Sequence, residues 1–157
     1  MDRSEKIQSY GEASTALSTA VRKYPREMWQ FRASPDSWTI HEIIIHIADS
    51  EVNSYVRCRR LIAEPGSQVL GYDEMRWSLD LHYHRQQPDD ALELFRLLRM
   101  LSHRLIADLP DEIWTHTIHH SENGPMTMDD WLDIYERHVP DHIQQMEMVY
   151  EAWKIIR

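Results

Sequence analysis

Between Met128 and Ile155 the chain carries a stripe that limits what it can fold into. Steps of three and four residues join Trp131, Ile134, Tyr135, His138, His142, Gln145, Val149 and Trp153. That spacing marks one face of an α-helix. The stripe is apolar at both ends and polar in its middle. Burying an unpaired polar group costs roughly 1–3 kcal/mol. A helix that turns this face to a core must therefore find partners for two imidazoles and an amide. Thr127 is the expected N-cap, and Asp129 and Asp130 follow it; a hydroxyl there accepts from an orphan amide, and acids suit the positive end of the helix dipole. Pro140 lies between the two histidines. It has no amide to donate, so the Glu136 carbonyl loses its usual partner and a bend is expected nearby.

Three more helices are expected. The first spans Arg3 to Lys23 and stops before Pro25. The second starts at Thr39, where Thr-Ile-His-Glu makes a capping box with Glu42, and ends before Pro65 and Gly66. Its isoleucine run is interrupted by His46. The third starts at Pro88, with Asp89 or Asp90 as cap, and runs to Leu109 and Pro110. The glycine count is only 4, too few for a chain of tight hairpins, and the Leu, Ile, Met, Ala, Glu and Arg content favours helix. About fifteen residues link the first two helices, and more than twenty link the second and third. A connection of that second length can return along the whole bundle and leave helices two and three parallel. The segment PDEIWTHTIHHSENGP, before the fourth helix, could hold a short hairpin or an irregular loop. The expected fold is all-α: one four-helix-bundle domain over residues 1–157, with a long crossover between helices two and three.

Composition excludes several classes of partner. The formal charge is -9 with histidines neutral, which disfavours a phosphate backbone, because nucleic-acid binding needs a concentrated basic face. The one basic cluster, Arg57-Cys58-Arg59-Arg60, is expected to be a solvated helix face. No apolar run approaches the ~18 residues of a membrane span. The opening MDRSEKIQSYGEA is polar and mixed in charge, unlike a secretory signal. A lone cysteine, Cys58, allows no intrachain disulfide and fits a cytoplasmic protein. The supply of tryptophan and methionine exceeds what a small bundle core needs, so an apolar patch and a homodimer are expected.

The histidines admit two readings. They can be core residues hydrogen-bonded to neighbouring acids. Alternatively, His138 and His142, one turn apart with Cβ atoms ~6 Å from each other, can turn two nitrogens onto one ion. A histidine in the core stripe of another helix could complete a three-histidine site. His82 and His84 stand in the crossover and could line a cavity, while His116, His119 and His120 read as exposed loop residues. His41 should point away from His46, and His103 could be core or surface.

Two blocks, SPDSWTIHEIIIHIADSE and YERHVPDHIQQM, resemble signatures of the DinB/YfiT-like superfamily. The resemblance implies a four-helix bundle in which His46, His138 and His142 hold a divalent metal. It also implies a small-molecule substrate and a metal-dependent enzyme, either a thiol S-transferase with a low-molecular-weight thiol as co-substrate or a small hydrolase. A non-catalytic metal- or ligand-binding bundle, acting as an oligomerising module, is the alternative. An all-nitrogen donor set suits Zn or Ni better than Mg or Ca. Such an open site lowers the pKa of bound water to roughly 7 and deprotonates a bound thiol. Asp49, Glu42 and Gln145 are candidates for orienting the ligands or touching substrate, with helix capping the favoured role for Glu42. Cys58 lies about 18 Å along its helix from His46 at 1.5 Å per residue. It should not be the nucleophile, and an inert, half-buried thiol is expected, although its arginine neighbours could lower its pKa.

Overall fold

Three long helices begin on side chains that catch their own first amides. A computed structural model describes residues 1–157. In it Asp2 and Glu5 cap α1 (Arg3–Lys23), Thr39 and Glu42 cap α2 (Ile40–Ala63), and Thr127 and Asp130 cap α5 (Met128–Ile155). Each is a reciprocal box; the Glu42 amide donates to the Thr39 hydroxyl at 3.0 Å while the Glu42 carboxylate accepts from the Thr39 amide at 3.0 Å. Such caps contribute about 1 kcal/mol apiece. The remaining long helix, α4 (Pro88–Ile106), starts at Pro88 as the sequence predicts but is capped differently. Its cap is Gln87, with no side-chain bond, and Pro88 sits in its first turn, where a missing amide costs nothing. Asp89 is instead turned outward onto Arg26, in a two-pronged pair at 2.9 and 2.8 Å. The helix stops at Ile106, short of Leu109 and Pro110. The helix α5 continues through Pro140 to Ile155.

Cross-helix bonds give the directions. Glu51 meets Arg99 and Arg59 meets Ser102, so α2 and α4 run parallel, as the long crossover requires. Arg3 meets Asp129, Ser9 meets Glu136 and Tyr24 meets Glu147, so α1 and α5 are parallel too. Each of α1 and α2 packs against α4 and α5, which leaves α1 and α2 diagonal across a four-helix bundle. The crossover is more than a bare loop. It holds β1 (Gln68–Val69), a short helix α3 (Glu74–Asp80) and a 3-10 turn at Tyr83–Arg85. The last connection forms the hairpin that the sequence left open, β2 (Thr117–His120) with β3 (Gly124–Thr127), and β1 adds to β2 in parallel. One end of the bundle is thereby tied to the crossover.

The core has two apolar parts. One contains Ile43, Ile44, Ile47, Phe95, Val139 and Val149, the other Cys58, Leu61, Ile106, Trp114, Ile118 and Trp131. Between them lies a polar belt. Ser50, Glu51 and Ser54 on α2, Arg99 and Ser102 on α4, and Glu136 on α5 are all buried. Arg99 is its hub: Nε and Nη2 donate to the two Glu51 oxygens at 2.8 and 2.9 Å, and Nη1 donates to the Tyr10 carbonyl at 3.1 Å. The α5 stripe is largely as the spacing predicts, with one correction. Ile134 is 38% exposed, and Val139 and Met146 take core positions.

Arg99→Met alone should strand the Glu51 carboxylate and lower stability by about 3–5 kcal/mol. The double variant Arg99→Met, Glu51→Leu should recover most of that loss, because the unpaired charge is gone. Urea denaturation of the four members of the cycle measures both effects; equal stability of the single and double variants would show that the pair is not the source of the cost.

Candidate metal centre and its cavity

The polar middle of α5 faces the histidine of α2. His46, His138 and His142 each place one ring nitrogen within 4.8 Å of the other two. The helical spacing of His138 and His142 brings their Nε2 atoms to 3.2 Å. The same nitrogens would be separated by about that distance if each stood ~2.1 Å from a single ion. His142 donates from Nδ1 to the Gln145 Oε1 at 2.7 Å, which leaves its Nε2 lone pair free. The Nδ1 atoms of His46 and His138 are buried without a hydrogen-bond partner. Packing orients those two rings: Trp38 sits edge-on to His46 at 4.8 Å, and Tyr135 lies 6.1 Å from His138.

Electrostatics keep the cluster neutral. Burial, followed by repulsion from His142, lowers the His46 pKa to about 3. Burial and the charges of His142, His46 and Arg99 push His138 well below the usual histidine range. His142 is lowered by burial, against the opposing pull of Gln145 and Asp141. Three neutral imidazoles with no carboxylate among them form the donor set that borderline transition metals take. The residues present therefore fit a divalent metal.

The other sequence candidates fall in different places. Asp49 accepts from the Tyr83 hydroxyl at 2.6 Å, which ties α2 to the crossover. Glu42 caps its helix and pairs with Arg32 at 2.8 Å. His41 points to Gln30 and Gln86. His82 and His84 are exposed at the end of the crossover, with their rings edge-on to each other at 6.1 Å. His116 bonds the Leu61 carbonyl at 2.9 Å, and His119 is exposed.

Two residues overturn the sequence reading. His120 is 6% exposed, not a free loop residue, because it lies in β2, paired with Val69 of β1 on one side and Gly124 of β3 on the other. Arg57, taken from its basic neighbours for a solvated side chain, is 8% exposed. Both line a cavity of about 180 Å³ that also reaches Ser50, Tyr72, Tyr135 and His138. Ser50 Oγ lies 3.3 Å from His138 Nε2, so the cavity wall touches the histidine cluster. Nothing in the local spacing marks Arg57 or His120 as cavity residues; the parallel pairing of β1 with β2 brings them there.

Comparison with known proteins places this geometry. A model of the DinB superfamily matches residues 10–146. The chain belongs to the DinB superfamily. It is 26% identical to YfiT of Bacillus subtilis over 87% of this chain and 78% of that one, and 29% identical to OB0782 of Oceanobacillus iheyensis over 68% of this chain and 61% of that one. Both relatives bear names that propose a metal-dependent hydrolase. The solved structure of Bacillus subtilis YfiT, reported with an unusual four-helix bundle topology, superposes with a TM-score of 0.88 over 98% of this chain and 90% of that chain, at 23% identity. This DinB-superfamily chain thus shares the YfiT fold, including helices that do not follow one another around the bundle.

Cys58 lies in the apolar end of this DinB bundle and is 0% exposed, more deeply buried than expected. Burial outweighs the lowering effect of Arg59, and the thiol is pushed up to about 12. In the folded chain alkylation by iodoacetamide should stay negligible from pH 7 to pH 9, whereas a free thiol reacts faster as pH rises through about 8.5. Labelling should appear on unfolding in urea. A native rate that climbs through that pH window would show an accessible thiolate.

Proposed function

We propose that this protein is a metal-dependent enzyme acting on a small molecule, with His46, His138 and His142 as the metal ligands. The observation that carries the reading is the convergence of three neutral imidazoles beside a solvent-connected polar cavity. A purely structural metal site would more naturally be closed by a fourth protein ligand. Zn or Ni suits the donor set, and when bound the ion supplies Lewis acidity and a lowered pKa for an oxygen or sulfur donor. The chain itself does the positioning. Gln145 holds the His142 ring with its Nε2 toward the cluster, Trp38 braces His46, and Ser50 offers a hydroxyl at the edge of the cavity.

Hydrolysis is the favoured reaction, since the matched relatives carry that proposed activity. Thiol transfer is the second reading, drawn from the superfamily resemblance. The burial of Cys58 bears on it, because no thiol of this chain can reach the cluster and the sulfur would have to come from a low-molecular-weight thiol.

Protein purified without a histidine tag should bind about one equivalent of Zn or Ni. His138→Ala with His142→Ala should reduce binding to background while the helical circular dichroism is retained. Esters, amides and electrophilic substrates would then be screened with and without an added thiol. Product formation that needs metal but no thiol supports hydrolysis; a requirement for both supports transfer. Full metal occupancy in the double variant would overturn the ligand assignment.

A further inference from the structure

The cavity beside His138 has two chemically opposite sides. Its inner side is built from hydrogen-bond donors. Arg57 donates only to neutral oxygens, the Tyr135 hydroxyl at 2.9 Å and the Leu70 carbonyl at 2.9 Å. The other deeply buried guanidinium of this fold, Arg99, is matched by a carboxylate, so Arg57 stands out as a buried cation with no carboxylate within ion-pair distance. Tyr135 already uses its oxygen to accept from Arg57, which leaves its O–H to donate. His120 accepts at Nδ1 from the amides of Glu122 and Asn123, at 3.1 and 3.2 Å, so its proton is on Nε2. The Tyr72 hydroxyl is buried and makes no well-formed hydrogen bond, with the Ser50 hydroxyl the polar group near it.

The rim is built from acceptors. Glu74 and Glu122 line the same cavity, are exposed, and have no cation within ion-pair distance. Partial loss of hydration at the cavity mouth, and then the charge of Glu122, holds the Glu74 carboxyl above its usual range. Gly71 allows the Glu122 carboxylate to lean over the opening, since a Cβ at that position would stand 2.7 Å from the carboxyl carbon. A ligand that satisfies both sides needs acceptors at its inner end and a cationic donor at its outer end.

We propose that this cavity binds a small amino-acid-like zwitterion, with its carboxylate on Arg57, His120 and Tyr72 and its ammonium between Glu74 and Glu122. The link to turnover rests on the metal-enzyme reading above; the binding does not, because neither pole is a metal ligand. The arrangement selects against molecules that carry only one of the two charges. A simple anion leaves the rim carboxylates unpaired, and a simple amine leaves Arg57 unpaired.

Three probes of similar length test this: 4-aminobutyrate, butyrate and butylamine. Each is titrated into the full chain, with metal and after chelation, while the histidine and tryptophan side-chain resonances are followed by NMR. In both states 4-aminobutyrate should bind about tenfold or more tightly than either single-charge probe, and Arg57→Gln should weaken it about tenfold. Glu122→Lys is an exposed change that leaves the core intact. It should weaken 4-aminobutyrate by about tenfold and favour glutarate, which places a second carboxylate where the ammonium was. Equal affinity for the three probes, or an unchanged order of preference in Glu122→Lys, would overturn the proposal. Metal content is measured on the same samples. Zwitterion preference without metal at the histidines would sink only the enzyme reading, and stoichiometric metal without that preference would sink only the cavity assignment.

Discussion

The buried pair between Arg99 and Glu51 is the interaction on which the rest of the interior depends. A guanidinium in an apolar core is tolerable only if its charge and its donors are met, and here both Glu51 oxygens and the Tyr10 carbonyl meet them. The consequence is geometric. One side chain from α4 sets the height of α2 and α1 relative to each other, although those two helices are diagonal in the bundle. Polar groups on α2 and α5 then occupy the same level, and Tyr10 and Ser9 of α1 bond Glu51 and Glu136 there. The polar belt divides the apolar core into two parts and gives the histidine cluster a place to sit.

That division links stability to function. A bundle with an unbroken apolar core would be easier to stabilise, but it would have no level at which three imidazoles and a cavity could coexist. Here the imidazoles stand on the edge of the belt. Burial keeps them neutral, with repulsion from neighbouring imidazoles adding to it at His46 and His138, and a neutral imidazole is the form that ligates a metal. The helices hold two of the three histidines by i and i+4 spacing alone. The third comes from α2, whose register against α5 is fixed by contacts such as the Trp131 indole on the Ser54 carbonyl at 3.1 Å.

The crossover and the hairpin add the chemistry that the helices lack. α3 and its flanks bring Tyr72 and Glu74 to one side of the cavity, and the hairpin brings His120 and Glu122 to the other. The three-stranded sheet is small, yet it joins these two segments across about fifty positions of sequence. Arg57 then changes from a surface charge to the back wall of a binding cavity. The same segments bring the Tyr83 hydroxyl to Asp49, so that carboxylate ties the crossover to α2.

The sequence by itself determined what depends on neighbours a few residues apart. The Thr39–Glu42 capping box, the Thr127 cap, the span of α1, the helical pairing of His138 with His142 and the all-α class are local matters of propensity, spacing and side-chain reach. The long crossover also implied parallel α2 and α4, since chain length limits topology. The start of α4 at Pro88 is local too, but its cap is not: Asp89 suits a capping role by sequence, and the Arg26 guanidinium holds it outward instead. The exposure of Ile134 and the burial of Arg57 and His120 were decided by the tertiary structure alone. Whether a side chain on a helix or hairpin meets water or another element depends on what packs above it, and here that cover comes from segments far away in the chain. The same holds for the cavity: its donors and acceptors come from α2, the crossover, the hairpin and α5, and no local pattern records that they meet.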